Sequence, residues 1–268
     1  MRRMGCVLAF LFLYREALPQ TALIYPTFDY PAFIASPSRD IRDLFDQPAG
    51  ALDSAGWYGM VSAKELVPGG GLRMLQGMGA FNCSMGTAGV GFRILGNADL
   101  SRRYGFLFYS RSLGRSFWLG VATGYSGFRS PRWKNKGYAD YKISWAWQAS
   151  NTLHFGGTIA NPVVLKKAAE RPAKAIHTGF TIFPSAQVSL RVGLLTDEGR
   201  GGRVLAGIEY LPEARVVLNA GWLSGETIFM FAAGYCYKNW KLSAGTTYHL
   251  LLGLSPQLSI HLIPAGND

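Results

Sequence analysis

Charge is scarce in this chain. Asp, Glu, Lys and Arg make up 16% of the 268 residues, against about 25% in ordinary soluble domains. Long apolar runs are missing too: after the N-terminal stretch nothing approaches the roughly 18 residues of a membrane-spanning helix, which excludes a helical membrane protein. Cysteine is rare, with 3 in the chain. No C-x-x-C or clustered Cys/His spacing is present, so neither a disulfide framework nor a zinc site is expected. Gly69-Gly70-Gly71 is not followed by the Lys-Ser/Thr of a phosphate cradle and reads as a turn. Acidic residues are few, and Asp140 and Glu209 form no paired-carboxylate constellation.

What the chain does have is 33 Gly, 13% aromatic and 49% hydrophobic residues, a mean hydropathy of +0.09 and a net charge of +11. So apolar and aromatic a chain can order itself, which excludes disorder. Its hydrophobicity is dispersed, which points to strands.

Arg2 and Arg3 precede an apolar run from Met4 to Tyr14, followed by small residues such as Ala17 and Ala22. Residues 1–22 therefore read as a cleaved secretory signal peptide, with a buried N-terminal helix as the alternative. Cys6 would leave with it. Cys83 and Cys236 then remain, read as two separate thiols on strand segments, with a single bridge in an exported protein as the alternative.

From residue 56 onward the sequence alternates. Trp240, Leu242, Ala244, Tyr248 and Leu250 fall on one face of a strand, and Lys241, Ser243, Gly245, Thr247 and His249 on the other. Tyr141, Ile143, Trp145 and Trp147 likewise oppose Lys142, Ser144, Ala146 and Gln148, while Val188, Leu190, Val192 and Leu194 oppose Gln187, Ser189, Arg191 and Gly193. A helix would scatter each set around its circumference; strict alternation marks strands.

The segmentation predicts about fourteen strands between residues 56 and 264, most roughly 9–13 residues long, enough for tilted strands to cross a bilayer. It ends a strand at 126, begins the next at 138, and places the last strand at 256–264. Connections after even-numbered strands are tight, whereas 97–101, 127–137, 161–174 and 197–202 read as longer loops. Short turns at one end and longer loops at the other fit a closed antiparallel outer-membrane β-barrel over 56–268, with both termini on the periplasmic side. Trp57, Tyr104, Phe117, Tyr125, Trp145, Trp147, Tyr210, Trp222 and Trp240 are read as interfacial girdle residues. A secreted soluble sheet protein is the alternative, but its outer face would carry Lys, Glu and Thr.

Residues 23–55 do not alternate. Ile41, Leu44 and Phe45 fall at i, i+3 and i+4, with Ser38 as a candidate N-cap and Pro48 as the stop, so a short amphipathic helix is expected, acting as a plug or a periplasmic linker. Asp46-Gln-Pro-Ala-Gly-Ala-Leu52 resembles the Asn-Pro-Ala-Gly-Leu signature of FadL-like outer-membrane barrels, in the branch that includes PorV and PorQ. Phe155-Gly-Gly-Thr-Ile-Ala-Asn-Pro162, Gly207-Ile-Glu-Tyr210 and Leu254-Ser-Pro-Gln-Leu-Ser-Ile260 are similar to segments of the same group. Gln47 stands where the group has Asn, and the last strand lacks a terminal aromatic. The PorV/PorQ resemblance implies a part in type IX secretion or surface attachment of proteins. The wider FadL resemblance implies passive uptake of hydrophobic small molecules past an N-terminal plug. The plug motif Gln47, Pro48, Ala49 and Gly50 is the binding element this resemblance suggests.

Positive charge clusters in two loops, Arg129, Arg132, Lys134 and Lys136 in one and Lys166, Lys167, Arg171 and Lys174 in the next. In a barrel both face outward, toward lipopolysaccharide, secretion-system proteins or simply solvent, which argues against nucleic acid as the partner. His154, His249 and His261 share the polar face, with Ser259 two residues from His261. A Ser/His pair raises an outer-membrane lipid-modifying enzyme as another class. A lumen His beside Ser and Gln is more simply an interior polar residue, so no enzyme activity and no cofactor is expected. Glu209 is expected to meet an interior Arg such as Arg191 or Arg93.

Overall fold

The computed structural model describes residues 41–50, 52, 54–67, 69, 71–97, 100–130, 133–162, 174–198, 201–225, 228–250 and 252–264, with side chains from 130 to 136 undescribed. The signal-peptide segment and Ser38 lie outside the described residues. The strands are Gly56–Val67 (β1), Leu72–Cys83 (β2), Gly86–Gly96 (β3), Ser101–Ser112 (β4), Phe117–Ser130 (β5), Trp133–Gln148 (β6), Leu153–Ala160 (β7), Ala175–Ser185 (β8), Val188–Asp197 (β9), Gly201–Glu213 (β10), Val216–Leu223 (β11), Ile228–Tyr237 (β12), Trp240–His249 (β13) and Gly253–Leu262 (β14). Each pairs antiparallel with its neighbours in sequence, and β14 returns to β1 through Gly59↔Leu262 to Lys64↔Gln257. The result is a closed barrel of fourteen strands. Closure leaves no edge, so the backbone groups of every strand find partners within the sheet.

The alternation sorts onto the two faces as polarity demands. Leu107 (60%), Leu258 (67%), Leu254 (55%) and Val90 (56%) are exposed on the outside. That surface would be untenable in water and is what lipid requires. Trp57, Phe81, Trp147, Tyr210, Tyr235, Tyr237 and Trp240 are exposed at the short-turn ends of their strands, where a girdle meets headgroups. The inner face is mixed: Ser62, Gln76, Ser126, Ser144 and Thr181 are buried there, together with Lys64, Arg93, Arg102 and Arg203.

The unusual pairing of many glycines with many aromatics has a structural cause. Gly91 lies opposite Phe106, Gly89 opposite Phe108, Gly77 opposite Phe92 and Gly157 opposite Trp145 on neighbouring strands. In each case the ring lies over the glycine: a Cβ at Gly77 would come within 2.6 Å of Phe92 Cε1, and one at Gly157 within 3.0 Å of Trp145 Nε1. Glycine weakens a strand because it has no side chain to pack, and a cross-strand ring covers the exposed backbone.

Three expectations are corrected. Residues 127–130 and 133–137 are strand rather than loop: β5 runs to Ser130, β6 starts at Trp133, and Gly127 pairs with Gly137 in register. Gly127, Pro131 and Gly137 resemble turn signals, but the Tyr125 ring covers Gly137 and the strand continues through it. The final strand is Gly253–Leu262, beginning three and ending two residues before the expected 256–264, because Gly253 at φ 82 already closes the turn into it. Tyr104 is not a girdle residue. It faces inward, stacks on Phe106 with ring centroids 5.4 Å apart and donates to Asp140 Oδ1 at 3.0 Å. Tyr104-Gly-Phe-Leu-Phe-Tyr109 places rings on both parities, which makes its faces unreadable from sequence.

Leu107 sits midway along β4 on the outer face, so Leu107→Arg is expected to destabilise the barrel by about 2–4 kcal/mol. Reversible urea unfolding in lipid vesicles would measure this; a cost near zero would place that face away from lipid. The unheated protein should also migrate differently from the boiled protein in a denaturing gel.

Candidate functional site

The described part of the N-terminal segment lies against the inner wall. Ile41–Phe45 forms a 3-10 helix rather than the longer amphipathic helix that the spacing suggests, and Ile41, Leu44 and Phe45 are buried. A hydrogen bond from Gln47 N to Asp43 O (2.8 Å) closes the next turn, and Pro48 follows. The apolar face of this helix finds its partners inside the barrel, in a cluster with Leu52, Tyr58, Met60, Met78, Ala80, Phe106, Phe108 and Ala122. Phe45 packs on Phe106 at 5.0 Å between centroids, and the Arg93 guanidinium lies 4.8 Å above the Phe45 ring.

Polar contacts fix the segment to several strands. Lys142 donates to Phe45 O at 2.8 Å and lies 3.7 Å from Asp46. Asp43 is 3.9 Å from Arg191, whose guanidinium also lies 3.5 Å from Glu209, the interior pairing that the charge argument expected. The four residues of the sequence motif are brought together here. Gln47 Nε2 donates to Trp145 O at 3.1 Å, Ala49 N donates to Ser144 Oγ at 2.6 Å, and Gly50 O accepts from Ser110 Oγ at 3.5 Å. Pro48 and Ala49 cross directly over Gly120, where an added Cβ would overlap their backbone atoms. Asn82 Nδ2 then donates to Leu52 O and Ser54 O, each at 2.8 Å, and leads the chain into β1.

Toward the long-loop end the wall carries a polar group whose Arg102, Ser126 and Tyr138 were not singled out from sequence. Arg102 donates to Ser126 Oγ and Tyr138 OH (2.8 and 2.7 Å), beside the Tyr104–Asp140 hydrogen bond. Asp197 receives Arg203 and lies 3.3 Å from His177. Leu195, Leu205, Leu223, Ile228 and Met230 form a second buried apolar cluster nearby. Strand parity could have found the polar members, since Arg102, Ser126, Tyr138 and Asp140 all share the inward face. The leucines could not be found that way, because an inward apolar position breaks the very rule that identifies the face.

The remaining sites separate. His154 rests 4.9 Å from Phe183, and His261 Nε2 lies 3.1 Å from Ser259 Oγ, both on the inner wall. Of the basic-loop residues, Lys134 and Lys136 belong to β6, with side chains undescribed. Arg132, Lys166 and Lys167 lie outside the described residues.

A closed fourteen-stranded antiparallel barrel with an apolar exterior and a polar, partly charged interior has the architecture of an outer-membrane channel. No protein-family model and no curated protein sequence matches the chain. Among solved structures, the Ralstonia pickettii toluene transporter TbuX is similar, with a TM-score of 0.59 at 8% identity, over 83% of this chain and 92% of that one. The deltaS2S3 mutant of the monoaromatic hydrocarbon channel TodX gives 0.59 at 9% identity, over 84% and 93%. The chain thus shares the barrel fold of these two proteins.

Gly120→Leu is expected to push residues 47–50 off the wall. Hydrogen exchange at the Ala49 and Gly50 amides should accelerate at least about tenfold while strand amides stay protected, local opening being separable from global unfolding. Unchanged exchange would show that the motif does not depend on this crossing.

Proposed function

We propose that this barrel conducts hydrophobic small molecules passively across the outer membrane, with residues 41–55 acting as a resident plug. The observation that carries this reading is that the inner wall is apolar in two places, at Met60, Met78, Phe106 and Phe108 where the segment meets it and at Leu195, Leu205, Leu223 and Met230 farther toward the long loops. A water-filled porin has no use for such a lining, whereas a hydrophobic solute needs it. The fold shared with a toluene transporter and a monoaromatic hydrocarbon channel supports the same direction.

The reading is non-catalytic. The Ser259–His261 pair is treated as interior hydrogen bonding, and Ser259→Ala should leave lipid composition unchanged. A role in type IX secretion or surface attachment, in the manner of PorV and PorQ, is the competing reading for the same architecture.

In proteoliposomes the barrel should accelerate uptake of radiolabelled toluene severalfold over protein-free vesicles without accelerating sucrose. Lys142→Ala combined with Arg191→Ala, which removes two anchors of the segment, should raise ion conductance in planar bilayers. Toluene uptake no faster than in empty vesicles, together with co-purification of secretion components, would overturn uptake in favour of the secretion role.

A further inference from the structure

The outer face of the barrel is apolar over most of its height, but three arginines interrupt it at the long-loop end. Arg73 on β2, Arg103 on β4 and Arg129 on β5 are all exposed and share the outward parity of Leu75, Leu107 and Tyr125. Register places them together. Arg73 lies opposite Gly96, Gly96 opposite Ser101, and Ser101 opposite Arg129, so one hydrogen-bonded row runs Arg, Gly, Ser, Arg across four strands. In the row toward the barrel's middle, Arg103 lies between Ile94 and Gly127. The three guanidinium groups therefore border a ledge of small residues. None has a hydrogen bond or ion pair to another described residue. Glu65, opposite Arg73 on β1, turns its carboxylate to Gly69 N at 3.3 Å.

Directly below the ledge lie Leu75, Phe92, Ile94, Leu107 and Tyr125, all exposed. The patch thus offers cations above and apolar surface beneath, on the side of the wall that meets lipid rather than on the bore. Charged side chains at this boundary are tolerated where they reach an oppositely charged headgroup. Arg suits phosphate better than Lys because its planar fork can donate two parallel hydrogen bonds.

We propose that Arg73, Arg103 and Arg129 form a binding site for the phosphates of a lipid A molecule in the outer leaflet, whose acyl chains lie against Leu75, Ile94 and Leu107. The occupant is set by position: the patch is at the long-loop end, which faces the leaflet rich in phosphorylated glycolipid, and outside the barrel, where a diffusing solute or a secreted protein in the bore cannot reach. The site requires the membrane orientation but not the transport reading, so failure of toluene uptake leaves it standing.

Native mass spectrometry of the purified full barrel, released from detergent with bisphosphorylated lipid A, dephosphorylated lipid A or phosphatidylglycerol, tests this. Bisphosphorylated lipid A should bind tightest. R73Q/R103Q/R129Q should weaken it on the order of tenfold or more, in keeping with the attraction of each surface cation for an anionic headgroup. R111Q/R115Q/R215Q, which removes exposed arginines at the short-turn end, should bind it as the wild type does. Heat-modifiable gel mobility verifies that each variant is folded, and R103Q alone, expected to weaken binding severalfold, replaces the triple variant should that fail to assemble. Equal binding of dephosphorylated lipid A or phosphatidylglycerol, or an equal loss in the short-turn variant, would overturn the proposal.

Discussion

Everything in this structure follows from the need to pair backbone hydrogen-bonding groups where water is absent. A sheet with open edges cannot meet that need in lipid, and the chain meets it by joining its last strand to its first. Closure then dictates the rest. It forces each strand to present one face to lipid and one to the interior, which is why the alternating pattern runs almost without interruption from Gly56 to Leu262. It also encloses a space that side chains or a segment of the chain must fill or line.

The enclosed space is handled asymmetrically. Near the short turns, residues 41–50 are bound by a mixture of ring contacts and charge-assisted hydrogen bonds from strands on several sides of the wall. Contacts to β4, β6 and β9 come from different arcs of the barrel, so the segment bridges the interior rather than lining one strand. Farther out, the cationic Arg102 group and the leucine cluster around Leu195 and Leu205 belong to separate arcs, β4 to β6 and β9 to β12. At the same depth, opposite arcs of the inner wall are therefore chemically distinct.

Much of this was legible from sequence because period-two alternation is a direct imprint of a two-faced sheet. Trp240 to His249 and Tyr141 to Gln148 sort onto their observed faces residue by residue. The expected Arg191–Glu209 contact followed from nothing more than the cost of an unpaired charge. Legibility failed where the imprint was overwritten. In β4, rings at both parities hid the inward Tyr104, Phe106 and Phe108, and in the β5–β6 hairpin glycines imitated turns because sequence does not show which ring will cover them. The Gln47 to Gly50 motif announced that a special segment was present, but the strands that would hold it, through Gly120, Ser144 and Ser110, are distant in sequence and carry no mark of that role.

The rings lying over glycines tie residues on one strand to residues on the next. Phe106 has room because position 91 lacks a side chain, and Gly91 is shielded because position 106 is a ring. Neither can change alone without leaving a gap or a collision, so such positions should vary in pairs among descendants of this chain. The barrel's register is in that sense written twice, once in hydrogen bonds and once in shapes that fit only when neighbouring strands are aligned as observed; a strand slipped by one residue would set ring against ring.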